Sequence, residues 1–193
     1  ENGYSGQYKY LEIMGAGVGL FDYDGDGLLD VYFVNGNHIG PQASPEIINR
    51  LYRNNGDWTF TDVTEKVGVG HAGYGQGCTV GDYDKDGDPD LYVSNFGTDV
   101  LYRNNGDGTF VDVTAILAPG LIDYTGGRGV IWADINNDGH QDVLLAGNLY
   151  GAEIETIRAD AGLGLLMLGE GTGAFRAIDP HSSGLFLSYD VKH

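Results

Sequence analysis

A chain of 193 residues, 41% apolar and with 13 Tyr, 7 Phe and 2 Trp, has room for one domain or two small ones and enough apolar surface to argue against wholesale disorder. Its 33 glycines against 5 prolines, with no Gly-X-Y period, exclude collagen and favour many tight turns over a helical bundle. Ten basic side chains against 28 acidic ones leave a formal charge of −18, which excludes binding to nucleic acid or acidic lipid through bulk electrostatics; the carboxylates either repel one another or hold cations.

In chain order, Glu1-Asn2-Gly3 shows no basic-then-apolar leader and is compatible with a mature end left by cleavage. No apolar run reaches the length of a membrane span. Val18 to Phe21 and Asp30 to Val34 are short β-rich runs flanking the acidic stretch from Asp22. Arg50 to Asn54 and Thr59 to Val63 flank Asn55-Gly56-Asp57, and Asn-Gly between apolar runs signals a hairpin. The same order then returns. Gly77-Cys78-Thr79-Val80-Gly81 leads into an acidic stretch from Asp82, and Leu101-Tyr102-Arg103-Asn104-Asn105-Gly106 repeats the hairpin. Gly129-Val130-Ile131-Trp132-Ala133 leads into Asp134, and Leu166-Met167-Leu168-Gly169 opens a degraded third hairpin. Glu153 to Ala161 fits a short helix, and Ser183-Gly184-Leu185-Phe186-Leu187 resembles the opening strand of a fourth unit.

Each unit thus reads as four short antiparallel strands. Such a unit recurring every roughly 50 to 65 residues is the pattern of propeller blades. The expected fold is all-β: one β-propeller segment over 1–193, with repeats at roughly 10–64, 70–114 and 122–178 and a partial fourth at 179–193. A propeller ring takes about four to eight blades, so three blades and the start of a fourth form an incomplete ring.

The acidic stretches share the pattern Asp-x-Asp/Asn-x-Asp-Gly-x-x-Asp. The expected side-chain ligands are Asp22, Asp24, Asp26 and Asp30 in the first; Asp82, Asp84, Asp86 and Asp90 in the second; and Asp134, Asn136, Asp138 and Asp142 in the third. Leu28, Asp88 and His140 would add carbonyls. Extended, positions 1 to 5 would spread over roughly 13 Å, so the loop must curl, and glycine at position 6 permits the positive φ this needs. Like charges about 4 Å apart repel by roughly 4 kcal/mol at an effective dielectric near 20, so several per loop call for a cation. Hard oxygen donors on a flexible loop favour Ca²⁺ over Mg²⁺, about one ion per loop. Asn136 removes one charge, which makes the third site the weakest. Solvated Asx-Gly turns are the plain alternative, against which three copies in register weigh.

The Gly-rich strand, the acidic loop, Leu101-Tyr102-Arg103-Asn104-Asn105-Gly106-Asp107-Gly108-Thr109-Phe110 and the Asp112-Val113-Thr114 tail resemble FG-GAP/VCBS repeats, the calcium-binding blades also found in integrin α-subunits. Glu12 to Val18 is similar to the lead-in of the bacterial secreted branch often paired with ASPIC/UnbV domains, although no such domain is visible. The resemblance implies a secreted, extracellular or cell-surface, calcium-stabilised module for adhesion or for binding carbohydrate or protein. The reading is non-enzymatic. Two rivals stand beside it: a subunit that self-associates into rings or filaments through open blade edges, and a propeller hydrolase or lyase acting on carbohydrate.

The remaining motifs carry little chemistry. Gly15-Ala16-Gly17-Val18-Gly19 is similar to a dinucleotide loop, but such a loop opens a helix, which Asp22 onward disfavours. Gly73 to Gly77 and Gly126 to Gly129 read as close-packing lead-ins to their strands. Arg53 and Arg103 are expected to brace strand ends or pair with nearby Asp, Asp62 and Asp112 to cap turns, and Cys78 to serve as a small core residue. His71 and His181 are not spaced for zinc or for a catalytic triad.

Overall fold

A computed structural model describes residues 16–38, 43–117, 127–147 and 165–178. The expected helix at 153–161, the partial unit at 179–193, the lead-in before residue 16 and His181 lie outside them. The described residues form three four-stranded antiparallel meanders, all-β as expected. The first blade comprises β1 (Val18–Phe21), β2 (Asp30–Phe33), β3 (Arg50–Asn54) and β4 (Phe60–Asp62). The second comprises β5 (Tyr74–Gly81), β6 (Asp90–Phe96), β7 (Val100–Asn104) and β8 (Phe110–Asp112). The third comprises β9 (Gly127–Ala133), β10 (Asp142–Gly147), β11 (Leu165–Gly169) and β12 (Phe175–Ile178).

Two helices of one turn, α1 (Thr64–Val67) and α2 (Thr114–Leu117), follow β4 and β8 and were not expected. Their cause is local. Asp62 Oδ1 accepts bonds from the Thr64 N–H and Oγ1 at 3.1 and 2.7 Å, and Asp112 does the same for Thr114 at 3.0 and 2.6 Å. These are the turn caps expected of Asp62 and Asp112. Thr64 Oγ1 also receives the Leu51 N–H at 2.9 Å, and Val67 is buried, so tertiary packing sustains a helix too short to stand alone.

The blades stack face to face. Register places Val31 opposite Leu20 and Tyr52 on one face of the first sheet, which leaves Phe21, Tyr32 and Leu51 on the other. Phe21, Tyr32 and Leu51 share a core with Leu91, Val93 and Tyr102 of the second blade, where Cys78 packs at the margin as a small core residue. The second blade's opposite face, with Tyr92 and Leu101, packs on Val143, Met167 and Phe175 of the third, next to Trp132. Phe21 meets Phe110 edge-on at 6.4 Å, and Tyr83 stacks on Trp132 at 6.1 Å. The Gly-rich lead-ins serve close approach: a Cβ on Gly17 would sit 2.7 Å from the Gly77 Cα. All three acidic loops consequently join the first and second strands at the same end of the stack.

Candidate metal centre

The three acidic loops curl in the same way. The position 1 carboxylate gathers two backbone N–H groups across the turn. Asp22 accepts from Asp26 at 3.1 Å and Gly27 at 2.8 Å. Asp82 accepts from Asp86 and Gly87, both at 3.1 Å, and Asp134 from Asp138 at 3.1 Å and Gly139 at 2.9 Å. At position 5, Asp26, Asp86 and Asp138 each accept the N–H two residues on, at 2.9, 2.9 and 2.8 Å. Gly27, Gly87 and Gly139 take φ of 85, 98 and 87°, the left-handed turn expected of position 6. Position 4 adopts it too, at Gly25 (72°), Lys85 (62°) and Asn137 (59°), which the spacing did not reveal.

Carboxylates converge in two of the loops. Oxygens of Asp22, Asp24 and Asp30 lie within 4.8 Å of one another, as do those of Asp82, Asp84 and Asp86. The trios differ in their third member, Asp30 in the first loop and Asp86 in the second; in the first loop Arg53 bridges the neighbouring carboxylates, with Nη2 2.9 Å from Asp26 Oδ2. Among the described residues no third trio of His, Cys, Asp or Glu is as close. In the third loop the Asn136 amide instead donates to Asp138 Oδ2 at 2.8 Å. The His140 N–H, and then Asn136, hold the Asp138 carboxyl below its usual range.

Position 9, expected as a ligand, has a structural duty. Asp30, Asp90 and Asp142 are fully buried. One oxygen of each accepts the position 2 N–H, from Tyr23, Tyr83 or Ile135, at 3.1, 3.0 and 2.8 Å. The other accepts an N–H from the third strand, at Asn54, Asn104 or Gly169, at 2.8, 2.9 and 2.9 Å. These carboxylates tie loop to sheet, and each oxygen retains a lone pair for a cation. Burial raises the pKa of Asp30 and pushes Asp90 up to about 7, against the lowering effect of those N–H bonds. The side chains at position 7 turn away from the loop: Leu28 and Asp88 lie over Gly56 and Gly106, and a Cβ on Gly106 would come 2.6 Å from Asp88 Oδ2. His140 likewise lies over Gly171.

The donor set fits a hard cation on two observations. Asp84 Oδ1 is buried with no hydrogen-bond partner, and burial followed by the Asp86 charge raises its pKa. In the first loop a guanidinium already sits on two carboxylates, with Arg53 Nε 2.8 Å from Asp24 Oδ2. Both loops present concentrated negative charge that a positive group relieves.

No curated protein matches the sequence. One solved structure, of an Agrocybe aegerita lectin described as recognising non-reducing terminal N-acetylglucosamine, is similar at 19% identity and a TM-score of 0.46. The match covers 84% of this chain, which spans 37% of that one. The FG-GAP-like repeat profile matches twice, at residues 22–93 and 84–145, so that each match takes in acidic loops and the hairpin between them. The chain therefore belongs to the FG-GAP-like repeat family.

Proposed function

We propose that the chain is a calcium-binding, non-catalytic propeller module whose acidic loops use bound cations to lock adjacent strands, so that the stacked blades present a surface for a carbohydrate or protein ligand. The observation that carries this reading is the buried, unpartnered Asp84 Oδ1 beside Asp82 and Asp86. An unpaired buried carboxylate oxygen is costly, and a cation is the group best able to offset it. The first loop would use Asp22, Asp24 and Asp30, and the third Asp134, Asn136 and Asp138, with position 9 bracing each. A bound cation supplies charge neutralisation and a cross-link, with no reaction step assigned to it. An extracellular or cell-surface setting suits the module: FG-GAP repeats are commonly extracellular, and calcium is plentiful there. Among the described residues no helix is long and apolar enough to cross a membrane.

Thermal melting of the full chain in calcium and in excess EGTA tests the proposal. Calcium at a hundredfold its Kd stabilises by about 2.7 kcal/mol per site. For a chain of this size that corresponds to roughly 5–10 °C per occupied site. Asp24→Ala combined with Asp84→Ala should abolish most of the difference. Superimposable melts with and without chelator would overturn the reading.

A further inference from the structure

One side chain links the second and third acidic loops. Lys85 stands at position 4 of the second loop, between Asp84 and Asp86. Among the described residues it makes no direct ion pair with either. Its ammonium reaches over the next blade instead, with Nζ 3.6 Å from the place that a Cβ on Gly139 would occupy. That glycine is position 6 of the third loop and follows Asp138. The His140 N–H and then the Asn136 amide do most to hold the Asp138 carboxyl below its usual range, and the charge of Lys85 works in the same direction. The positive side chain acting on Asp84 is Arg103.

The backbone of the second loop accepts a cost to place this charge. Lys85 holds φ at 62°, where the first loop has Gly25 at 72° and the third has Asn137 at 59°. Glycine takes the left-handed conformation freely and asparagine takes it more readily than a long side chain does. All three loops curl the same way at position 4, so the curl itself does not call for lysine. The loops also differ in the charge they retain. The first has Asp22, Asp24, Asp26 and Asp30, with Arg53 across two of them. The third has only Asp134, Asp138 and Asp142, with Asn136 at position 3 and the Lys85 ammonium alongside. The second has Asp82, Asp84, Asp86 and Asp90, turns its own lysine toward its neighbour, and leaves Asp84 Oδ1 unpartnered.

The geometry points to Lys85 as a counter-ion that the second loop extends to the third, so that cation uptake is biased toward the second loop and the two neighbouring blades are coupled through one side chain. This inference rests on the cation reading proposed above and assigns the order in which the loops fill. An ion entering the second loop meets four carboxylates with the lysine turned away from them. An ion entering the third meets three carboxylates and an ammonium that must swing aside. That ammonium lies well inside the roughly 10 Å over which charges act at 0.1 M salt. Lys85 is exposed, so its effect on third-loop affinity has the size of an exposed ion pair, about two- to fivefold. It is a positioning charge and not a ligand.

Calcium titration of the full chain followed by amide NMR tests this loop by loop. The N–H groups of Gly27, Gly87 and Gly139 each donate to the position 1 carboxylate of their own loop, so their resonances report the three loops separately. The Gly87 resonance should move at lower calcium than that of Gly139. Lys85→Asn installs the residue that the third loop carries at this position and keeps the left-handed turn. It should lower the Gly139 midpoint by about two- to fivefold, and by more than it changes the Gly87 midpoint. Lys85→Arg keeps the charge and should keep the wild-type midpoints, and about 0.5 M salt should narrow the gap between wild type and Lys85→Asn. A Gly139 midpoint unmoved by Lys85→Asn, in a protein whose loops do take up calcium, would overturn this inference and leave the cation reading in place. So would a larger change at Gly87 than at Gly139, which would return the lysine to its own loop. Calcium that moves none of the three resonances would overturn the cation reading itself, and this inference with it.

Discussion

Arg53 Nε lies 2.8 Å from Asp24 Oδ2, so a side chain from the third strand of the first blade reaches into that blade's acidic loop. The repeats do not share this contact. Arg103, its counterpart in the second blade, instead donates to Asn105 Oδ1 at 3.4 Å, and the third blade has Leu168 there. The first loop thus carries its own counter-ion, the second leaves Asp84 Oδ1 unpaired, and the third lowers its charge through Asn136. One motif meets its electrostatic demand in three ways.

If the first loop takes up a divalent cation as proposed, Arg53 competes with it for Asp24 and Asp26. Arg53→Gln is expected to lower the melting temperature in chelator, because the loop loses its internal cation. It should also tighten calcium binding at the first loop, by about three- to fivefold given the modest strength of exposed ion pairs. Titration calorimetry or terbium luminescence reads the second effect. Opposite signs in chelator and in calcium are the diagnostic result, and a loss in both would show that Arg53 is only a brace.

Asp84→Asn reverses the pattern in the second loop. Without a cation the substitution removes a buried charge that burial and Asp86 both disfavour, so the chelated protein should melt higher. In calcium the same variant should melt lower than wild type, because one ligand charge is gone. Melting curves in the two buffers should therefore cross in order, and a variant that is destabilised in both would remove Asp84 from the cation site.

Much of this was legible in the chain itself. Val18 to Phe21 and Arg50 to Asn54 read as strands because β-branched and aromatic residues sit between turn signals, and repetition gave each assignment independent checks. The curl at Gly27, Gly87 and Gly139 followed from steric freedom at one position. The bracing role of Asp30, Asp90 and Asp142 did not follow. A ligand and a buried brace are the same letter in a motif, and only the third-strand N–H groups distinguish them. The helical turns after Asp62 and Asp112 were also missed, since they depend on Thr64 and Val67 being buried by distant residues.

The third loop should respond to the reverse substitution. Asn136 spends its amide on Asp138 Oδ2, a bond within the loop that offers nothing to a cation. Asn136→Asp restores the carboxylate present at Asp24 and Asp84. It should raise calcium affinity at this loop about tenfold or less, at the cost of a lower melting temperature in chelator. Calorimetric titration should resolve one additional tight site, and an unchanged isotherm would show that charge at position 3 does not limit binding here.

Asp99 lies away from all three loops and has a counterpart in Asn49. Both precede the third strand of their blade and both accept a backbone N–H, Asp99 from Asn95 at 2.7 Å and Asn49 from Asn35 at 2.8 Å. Asp99 also accepts the Tyr92 hydroxyl at 2.6 Å. Burial outweighs these bonds and pushes its carboxyl up to about 7. Because the folded value exceeds that of the unfolded chain, the native state binds more protons between pH 4 and pH 7, and this contribution to stability is lost as the pH rises through that window. His71, which lines a cavity together with Asp99, acts oppositely: burial lowers its pKa, so stability falls on acidification below its ordinary value. Asp99→Asn installs the residue that the first blade already uses. It should lessen the decline between pH 4 and 7, to which Asp90, also pushed up to about 7, still contributes, and raise the melting temperature near pH 8, while leaving the acid-side loss due to His71 in place. Melting curves taken in chelator at several pH values separate the two, and a variant with the wild-type slope would show that Asp99 is ionised at both ends of the range.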